Sequence, residues 1–403
     1  MKRPTVEILS QGDEVIEGAV INTNAAWLSR KLFDMGFNVV RHTCIGDDLP
    51  ALVSALQEIS GRSQLCISSG GLGPTLDDLT AEAASTAFGA PLQSDPEALR
   101  QIESWFQRSG RPMAEINRRQ ALIPSGAVRL DNDWGTAPGF SMPHGICGFH
   151  FVPGVPREMM AMFEHRIAPR LIASFPAIRP SRLTFHTIGI GESRLQELLK
   201  SLSLPEGARL GFRAKGTENE VKITFPGLLS PGEADPLISQ VSALLGEALF
   251  QVVRDGLGHE NLASFVGTTL RDLARKVLVH ESLSAGNLSH TLALEGALAL
   301  GEIHPACNPP LAIEDAAVIE HELQSQADHL LRKHPGESVI IERWYPENGS
   351  SLSGEREKVV FWTLAASEHH RLLERQTLTG TKPQLAQTAT IWSLNTLRRL
   401  LEI

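Results

Sequence analysis

The chain has 403 residues, which is too long for one ordinary hydrophobic core, so two or three domains are expected. Hydrophobic residues make up 42% of it and charged residues 21%, which excludes a largely disordered or fibrous protein. The formal net charge of −9 gives no electrostatic reason to bind nucleic acid or an anionic membrane, because either would be repelled at long range.

The cysteines and the first residues indicate the cellular compartment. Cys44, Cys66, Cys147 and Cys307 are far apart and show neither the paired spacing of a metal site nor a dense disulfide pattern. Residues 1–11 lack the features of a secretory signal, and no apolar run reaches membrane-spanning length. We therefore expect a cytoplasmic protein with no membrane partner.

Short apolar strands and amphipathic helices alternate through the first 170 residues. The predicted strands are 6–10, 37–43, 65–68 and 148–152, and the predicted helices are 24–35, 49–59, one from about residue 79 and one after residue 156. This alternation predicts a three-layer α/β domain, in which a parallel sheet has helices on both faces and binds ligands at the carboxyl ends of its strands.

The pattern changes twice along the chain. A Pro-containing stretch at 176–180 and a Gly-rich turn at 255–258 break the periodicity. The predicted domains are therefore 1–172, a small α+β module at 173–254, and a C-terminal α/β domain at 255–403. The elements predicted after the first break are strands 183–188 and 220–225, a helix from residue 193, and helices 262–276, 288–300 and 386–401.

Three predicted strand ends in the first domain carry small or acidic residues. They are Gly12-Asp13-Glu14, Gly46-Asp47-Asp48 and the run from Gly70 to Asp78. In the glycine run, missing side chains let backbone N–H groups approach an anion, and the following helix adds the positive end of its dipole. Asp77 and Asp78 beside a bound phosphate would be unfavourable unless a divalent cation lay between them. The run therefore predicts a metal-assisted phosphate site.

Structural alternatives exist for each of these residues. A Gly-rich strand-to-helix turn is often only a tight connection. Asp77 could cap a helix, and capping is the favoured interpretation of Asp47 and Asp48. Asp13 follows a buried strand directly, so function and structure are equally well supported there.

A larger set of motifs, in this order and spacing, resembles the CinA family across residues 1 to about 170. The segments are Leu9-Ser10-Gln11-Gly12-Asp13-Glu14-Val15, Asn22-Thr23-Asn24, Gly46-Asp47, Gly70-Gly71-Leu72-Gly73-Pro74-Thr75-Leu76-Asp77-Asp78-Leu79-Thr80, Asn117-Arg118-Arg119-Gln120-Ala121, Gly135-Thr136-Ala137-Pro138-Gly139 and Pro153-Gly154-Val155-Pro156. The glycine segment also resembles the molybdopterin-binding loop of MoaB and MogA proteins, whose fold the CinA family shares.

The resemblance implies a metal-dependent pyrophosphatase that acts on ADP-ribose or a related dinucleotide. A carboxylate-held divalent ion can neutralise phosphate oxygens and activate water, and an oxygen-rich site accommodates Mg²⁺, Mn²⁺ or Co²⁺. We assign catalysis to Asp78 and Asp13, which also hold the metal, with Asp77 as a further candidate. The residues assigned to substrate binding are Gly70, Gly71, Gly73, Thr75, Asn24, Arg118, Thr136 and Gly139.

Three side chains near this site have structural alternatives. Asn24 could cap the helix behind it, and Arg118 could be a surface residue rather than a bidentate phosphate clamp. Glu158, just inside a helix, is favoured as a partner of the helix dipole.

The middle module resembles the KH-like domain of CinA proteins at Gly189-Ile190-Gly191-Glu192-Ser193. Arg213 and Lys215 are too few basic residues to outweigh an acidic chain, so nucleic-acid binding is disfavoured against a structural role or a dimer contact. We expect a homodimer.

The third domain resembles the nicotinamide mononucleotide amidohydrolase domain of CinA chains at Glu281-Ser282-Leu283-Ser284-Ala285-Gly286 and Ser353-Gly354-Glu355. Two further motifs of that family are absent, and different residues, 304–310 and 341–346, stand in their positions. A serine nucleophile needs a base, and Lys333, His290 and His304 are poor candidates. The sequence therefore predicts a degenerate amidase in which Ser282 is only a weak nucleophile.

The leading hypothesis is thus a divalent-metal-dependent nucleotide pyrophosphatase whose substrate is a small nucleotide. The alternative is a non-catalytic scaffold that holds a nucleotide or a pterin in the same pocket. Active deamidation of nicotinamide mononucleotide is disfavoured, because the lysine and the glycine loop of that family are missing.

Overall fold

The computed structural model describes residues 3–175, 179–256, 258–259, 261–304, 316–346 and 356–401. The chain divides into two compact units, Met1–Pro180 with Pro226–Leu228, and Ser181–Phe225 with Leu229–Ile403. Parts of both predicted breaks, residues 176–178 and 257, lie outside the described residues. The predicted boundary between a middle and a C-terminal domain at 254/255 stays a prediction.

The first unit contains the predicted alternation of strands and helices. Its strands are β1 (Thr5–Gln11), β2 (Asn38–Ile45), β3 (Leu65–Ser69), β4 (Leu92–Ser94), β5 (Leu122–Pro124), β6 (Val128–Leu130), β7 (Gly139–His144) and β8 (Cys147–Val152). Its helices are α1 (Asp13–Ile16), α2 (Thr23–Asp34), α3 (Leu49–Arg62), α4 (Thr80–Phe88), α5 (Pro96–Ser109), α6 (Pro156–Met162) and α7 (Ala168–Ser174), with a 3₁₀ helix at Glu115–Ala121 and a π turn at Phe163–Ile167.

The main sheet of this unit has the strand order β2-β1-β3-β8-β7-β6. Strands β2, β1, β3 and β8 are parallel, β7 pairs antiparallel with β8, and β6 pairs antiparallel with β7. Because the central strands are covered on both faces, nearly all of their residues are buried.

Alternate residues of the central strands enter two separate cores, as the two-residue repeat of a strand requires. On one face, Leu9 and Cys66 pack with α3 and α4. On the other, Ile8 and Ile67 pack with α2 and α6. The three-layer α/β arrangement predicted for this part of the chain is therefore confirmed.

The second unit contains two further sheets. Its strands are β9 (Ser181–Ile188), β10 (Arg209–Lys215), β11 (Glu218–Phe225), β12 (Leu249–Arg254), β13 (Val277–Glu281), β14 (Leu298–Ile303), β15 (Ser338–Pro346), β16 (Glu357–Ala366) and β17 (Arg371–Gly380). Its helices are α8 (Glu192–Leu198), α9 (Pro231–Leu245), α10 (Leu262–Asp272), α11 (Asn287–Leu294), α12 (Ala316–Lys333) and α13 (Lys382–Leu400), with a 3₁₀ turn at Gly246–Ala248.

The two sheets of the second unit match the predicted α+β and α/β patterns. The first is antiparallel, with the order β10-β11-β9-β12, and packs on α8 and α9. The second has the order β14-β13-β15-β16-β17, in which the first three strands are parallel.

One predicted helix, at 288–300, is wrong in its second half. Helix α11 ends at Leu294, Gly296 adopts φ of +70°, and Leu298–Ile303 then forms strand β14 beside β13. A glycine in the left-handed region ends a helix readily, and pairing with β13 satisfies the backbone groups on one edge of Leu298–Ile303. A short apolar run does not distinguish these outcomes by periodicity.

Candidate functional site

Four parallel strands of the first unit end at one edge of the sheet. Ile45, Gln11, Ser69 and Val152 lie at or next to equivalent register positions, so the loops that follow them converge. These loops enclose an open cleft of about 580 Å³, here called the cleft. The predicted residues that line it are Gly70, Gly71, Gly73, Asn24, Thr136, Asp77 and Asp78.

Gln11, at the end of β1, organises the floor of the cleft. Its side-chain nitrogen donates to the Asp47 carboxylate at 2.9 Å and to the Asp77 carbonyl at 3.2 Å, and its side-chain oxygen accepts from the Thr80 hydroxyl. Gly71 has φ of +64°, and a Cβ there would overlap the Gln11 amide. The glycine is therefore required both by its backbone conformation and by this contact.

Asp78 shapes the glycine loop from within. Its carboxylate accepts from the Gly73 amide at 2.7 Å, from the Thr75 amide at 2.8 Å and from the Thr75 hydroxyl. The Gly70 amide donates to the Val152 carbonyl at 3.1 Å. Among the described residues, the Gly71 N–H donates to no protein acceptor. Of the Gly70, Gly71 and Gly73 amides, that of Gly71 is therefore the one available to an anion.

Asp77 differs from its neighbour. It is exposed, it lines the cleft, and no donor in the described parts of the chain reaches its carboxylate. It does not cap the following helix, which begins at Thr80 without a side-chain cap. Asp77 therefore has the carboxylate with the most unused hydrogen-bonding capacity in this loop.

Asp13 and Asp47 join the first two loops. The Asp13 carboxylate accepts from the Asp47 amide at 2.9 Å, and the Asp13 amide donates to the Asp47 carboxylate at 3.3 Å. Asp47 lines the cleft, whereas Asp13 lies outside its lining. Asp48 caps α3 by accepting from the Ala51 amide at 2.8 Å, so the capping interpretation is confirmed for this residue.

Asn24 lines the cleft and has one side-chain atom without a hydrogen-bond partner among the described residues. Its side-chain nitrogen donates to the Gly154 carbonyl at 2.8 Å, while its side-chain oxygen is buried and has no partner among the described residues. The cap of α2 is Asn22, which accepts from the Ala25 amide at 3.0 Å. A buried acceptor without a donor is costly, so the Asn24 oxygen is well suited to a ligand hydroxyl.

Glu158 contributes a carboxyl group with an altered pKa. Burial raises its pKa above the ordinary value, and a hydrogen bond of 2.7 Å from the Asn132 amide opposes the rise. A Cβ on Gly135 would overlap this carboxylate. The sequence favoured a helix-dipole role, but a cleft-lining carboxyl with a raised pKa is also typical of acid–base catalysis.

The two neighbouring arginines have different environments. Arg118 lies on the surface, with nitrogens 3.0 Å from Glu115 and 3.8 Å from Glu103, and does not line the cleft. Arg119 donates to the Thr75 carbonyl at 2.8 Å and lines a small adjoining cavity of about 40 Å³ with Gly71 and Gly73. Of the two arginines, Arg119 is therefore the one that contacts the glycine loop.

The remaining two predicted residues differ in position. The Thr136 hydroxyl lines the cleft and accepts from the Gln120 side chain at 3.2 Å. Gly139 is buried at the start of β7, where a Cβ would overlap the Phe151 carbonyl oxygen. Gly139 therefore permits close strand packing and does not face the cleft.

The cleft has a strongly acidic wall. Five carboxylates line it, and the described residues that line it include no lysine, arginine or histidine, since Arg119 lines only the adjoining cavity. Its carboxylates belong to Glu14, Asp47, Asp77, Asp78 and Glu158. Within the described residues no three of them bring ligand atoms within 4.8 Å of one another, so a preformed three-ligand metal cage is absent there.

Ser282, in the second unit, is 8% exposed, and its hydroxyl has no hydrogen-bond partner among the described residues. Its amide donates to the Glu342 carboxylate at 3.0 Å. His290 is exposed on α11, His304 contacts His280, and Lys333 is exposed at the end of α12. No base therefore activates this serine within the described chain. Residues 305–310 and 353–355 of the compared motifs lie outside it.

No helix in the described residues is both long and apolar enough to span a membrane.

Comparisons with known proteins match this architecture. The family described as a probable molybdopterin binding domain matches residues 7–173. A CinA-like protein of Anaeromyxobacter sp. (strain Fw109-5) is 37% identical over 287 residues, which are 70% of this chain and 68% of that protein. The NMN amidohydrolase-like protein YfaY of Escherichia coli (strain K12) is 38% identical over 313 residues, 76% of each chain.

One solved structure is also similar to part of the chain. The protein CinA with unknown function from Thermoplasma acidophilum is 31% identical, with a TM-score of 0.39, and the match covers 43% of this chain and 98% of that one.

Proposed function

Because the chain belongs to the family of CinA-like proteins, we propose that its cleft hydrolyses the phosphoanhydride of a nucleotide such as ADP-ribose with a divalent metal ion. The observation that carries the proposal is the convergence of a free glycine amide, several carboxylates and unused polar groups in one space. A volume of about 580 Å³ is in the range of sites that bury a ligand of nucleotide size.

The acidic lining of the cleft indicates that an anionic substrate binds there together with a cation. A diphosphate in the cleft would face carboxylates with no basic side chain among the described lining residues to neutralise it. Mg²⁺-type sites commonly use one or two carboxylates together with substrate phosphates and water, so a preformed cage is not required. Asp77 and Asp47 would hold the ion, and Asp78 keeps the loop in shape for Asp77.

The polar groups divide into two functions. The Gly71 amide would bind a phosphate oxygen, and the Asn24 oxygen would accept from a ribose hydroxyl. The exposed side chains of Val20 and Ile21, at the rim of the cleft, would cover the base. These contacts orient the diphosphate towards the carboxylates.

Glu158 is the group proposed to move a proton. When bound, the ion supplies charge neutralisation on the phosphate oxygens. The Glu158 carboxylate takes a proton from the attacking water. As the water oxygen bonds to phosphorus, the anhydride P–O bond breaks, and ADP-ribose gives AMP and ribose 5-phosphate. A raised pKa makes this carboxylate a stronger base than an ordinary glutamate.

The test compares two neighbouring aspartates. Purified protein is incubated with ADP-ribose and Mg²⁺, Mn²⁺ or Co²⁺, and AMP is measured by chromatography. Asp77→Asn should lower kcat about 100-fold, equivalent to about 2.7 kcal/mol, with an unchanged circular dichroism spectrum. Asp78→Asn should also disturb the loop, because an amide cannot accept from both the Gly73 and Thr75 amides.

The matched control is Asp235→Asn, which removes an exposed aspartate of the second unit that pairs with Arg254. It should leave AMP release unchanged. If wild-type protein releases no AMP with any of the three ions, or if Asp77→Asn is fully active, the proposal fails.

A second candidate is a scaffold that binds a nucleotide or pterin without turnover. It is favoured by the matched description of a probable molybdopterin binding domain, and by the use of Asp78 and Asp13 in loop structure. Metal-dependent binding of ADP-ribose without AMP release would support it.

Deamidation of nicotinamide mononucleotide is disfavoured, although the name of one relative describes an NMN amidohydrolase-like protein. The Ser282 hydroxyl contacts no base in the described part of the second unit. Release of nicotinic acid mononucleotide from the amide, lost in Ser282→Ala, would reverse this conclusion.

A further inference from the structure

A second group of polar side chains lies at the carboxyl ends of β13 and β14 in the second unit. His280 and Glu302 occupy paired positions of these neighbouring parallel strands, and His304 follows β14 directly. We call these three residues the His280 cluster. Their ligand atoms all lie within 4.8 Å of one another, and no other such group of three or more occurs among the described His, Cys, Asp and Glu residues.

The distances within the cluster suit a bound ion. The His280 Nδ1 and His304 Nε2 atoms are 2.9 Å apart, and a Glu302 carboxylate oxygen lies 3.6 Å from the first and 3.7 Å from the second. Two ligands of a tetrahedral zinc ion, with bonds of about 2.0–2.1 Å, are about 3.3 Å apart. Shifts of a few tenths of an ångström would bring all three atoms to that separation.

The contacts around His280 indicate that its Nδ1 atom acts as a hydrogen-bond acceptor. Arg343 donates to the Gln326 side-chain oxygen at 2.7 Å, which fixes the orientation of that amide. The Gln326 nitrogen therefore faces the His280 Nδ1 at 3.0 Å as a donor. Because an imidazole nitrogen has a single lone pair, an ion bound at Nδ1 would take the place of the Gln326 donor. It would also take the place of the direct contact between this atom and the His304 Nε2.

The charges of the cluster favour the ion. The Glu302 carboxylate lies beside the two imidazole rings and adds a negative charge that attracts a dication. Arg343 opposes it, but the Gln326 side chain separates the guanidinium from the ring nitrogen.

We infer that His280, Glu302 and His304 form a three-ligand site for a zinc-like divalent transition-metal ion. Imidazole and carboxylate ligands select Zn²⁺, Co²⁺ or Ni²⁺ over Mg²⁺ or Ca²⁺. The side chains of His304 and Glu302 are 37% and 49% exposed, so a fourth position opens to solvent for water or an external ligand. This site shares no residue with the one proposed in the first unit, and it differs from it in having imidazole ligands.

The test uses the full chain, stripped with a chelator and dialysed against Zn²⁺ in excess Mg²⁺, which occupies oxygen-only sites. Bound zinc is measured by mass spectrometry of the metal, and the visible absorption of added Co²⁺ reports the coordination. We expect one zinc ion per chain and the intense absorption bands of four-coordinate Co²⁺. Both His304→Ala and Glu302→Gln should weaken zinc binding by about 100-fold or more.

Two comparisons make the result decisive. His290→Ala, which removes an exposed histidine of the same unit, should keep full zinc binding. Glu302→Gln changes a half-exposed side chain and should leave the circular dichroism spectrum unchanged, so its loss of zinc would not reflect unfolding. Wild-type protein that binds no zinc at micromolar concentrations overturns the inference, as do cluster variants that bind it as tightly as wild type.

Discussion

Replacement of Arg62 by methionine should destabilise the first unit in a pH-dependent way. Glu7 lies in the central strand β1, is 1% exposed, and accepts two hydrogen bonds of 2.8 Å from Arg62 and one of 2.6 Å from Ser63. The Arg62 hydrogen bonds are the main reason that the pKa of Glu7 lies below its ordinary value, with burial acting against them. The variant leaves this carboxylate buried with one neutral donor.

The loss of unfolding free energy in the variant is limited by the free energy needed to protonate Glu7, because protonation removes the buried charge. With an unfolded pKa of about 4.3, binding a proton at pH 7 costs about 3.7 kcal/mol, and at pH 5 about 1 kcal/mol. Removal of one partner of a buried pair typically costs about 3–5 kcal/mol. The Arg62 side chain is 30% exposed, so water reaches the gap, and we expect a loss of about 2–3 kcal/mol at pH 7.

The sign of the pH dependence separates this mechanism from loss of packing. In wild type the pKa of Glu7 is lower in the folded than in the unfolded protein. The pair of Glu7 and Arg62 therefore stabilises the fold at pH values above the unfolded pKa, and this stabilisation is lost as the pH falls through the folded pKa. In the variant, burial without the guanidinium raises the pKa, so Glu7 makes the fold more stable as pH falls from 7 to 5. The destabilisation should therefore shrink to about 1 kcal/mol at pH 5.

The measurement is amide hydrogen exchange of the β1 and β3 peptides at both pH values, corrected for intrinsic exchange rates. Local exchange is needed because a chain of two compact units does not give a single unfolding free energy. Arg100→Met, in which the lost partner Glu97 is on the surface, should leave these peptides unchanged. A loss below about 1 kcal/mol at pH 7, or equal losses at both pH values, would refute this account of Glu7.

Three further outcomes are expected. Gly139→Ala should destabilise the first unit by about 1–3 kcal/mol, because its Cβ overlaps the Phe151 carbonyl oxygen; hydrogen exchange of β7 and β8 measures this, and unchanged exchange would contradict it. The pKa of Glu158 is raised, so the acidic limb of the wild-type kcat/KM profile for ADP-ribose should lie above the ordinary glutamate pKa, and a limb at or below that value would contradict this role. Asp48→Ala should cost α3 about 1 kcal/mol through loss of the hydrogen bond from the Ala51 amide, seen as faster exchange at its first turn.

The position of the cleft could be predicted from the sequence because it depends on the order of elements. Strands that alternate with helices are parallel, so the loops after residues 11, 45 and 69 had to meet at one edge. The loops that carry the predicted polar residues therefore converge, although Asp13 and Thr75 lie outside the lining of the cleft. This inference needs the hydrophobic pattern and the chain direction, and both are visible in the sequence.

The role of each side chain within the cleft could not be predicted in the same way. Gln11 is simply the last residue of a strand in the sequence, and its importance depends on a glycine 60 positions later that leaves space for its amide. Arg118 and Arg119 lie in a 3₁₀ helix, where neighbouring side chains point about 120° apart. A change of one position therefore separates a surface ion pair from a contact with the glycine loop.

The acidic lining of the cleft limits the functions open to it more strongly than any single residue does. A nucleotide diphosphate and a phosphorylated pterin are both anionic, so both need a cation where the described lining offers no basic side chain. Metal-dependent binding alone therefore does not separate an enzyme from a scaffold. What separates them is a group that removes a proton from water, and Glu158 is the cleft carboxyl whose pKa is raised. Loss of turnover with retained binding in Glu158→Gln is consequently the result that assigns hydrolysis to this site.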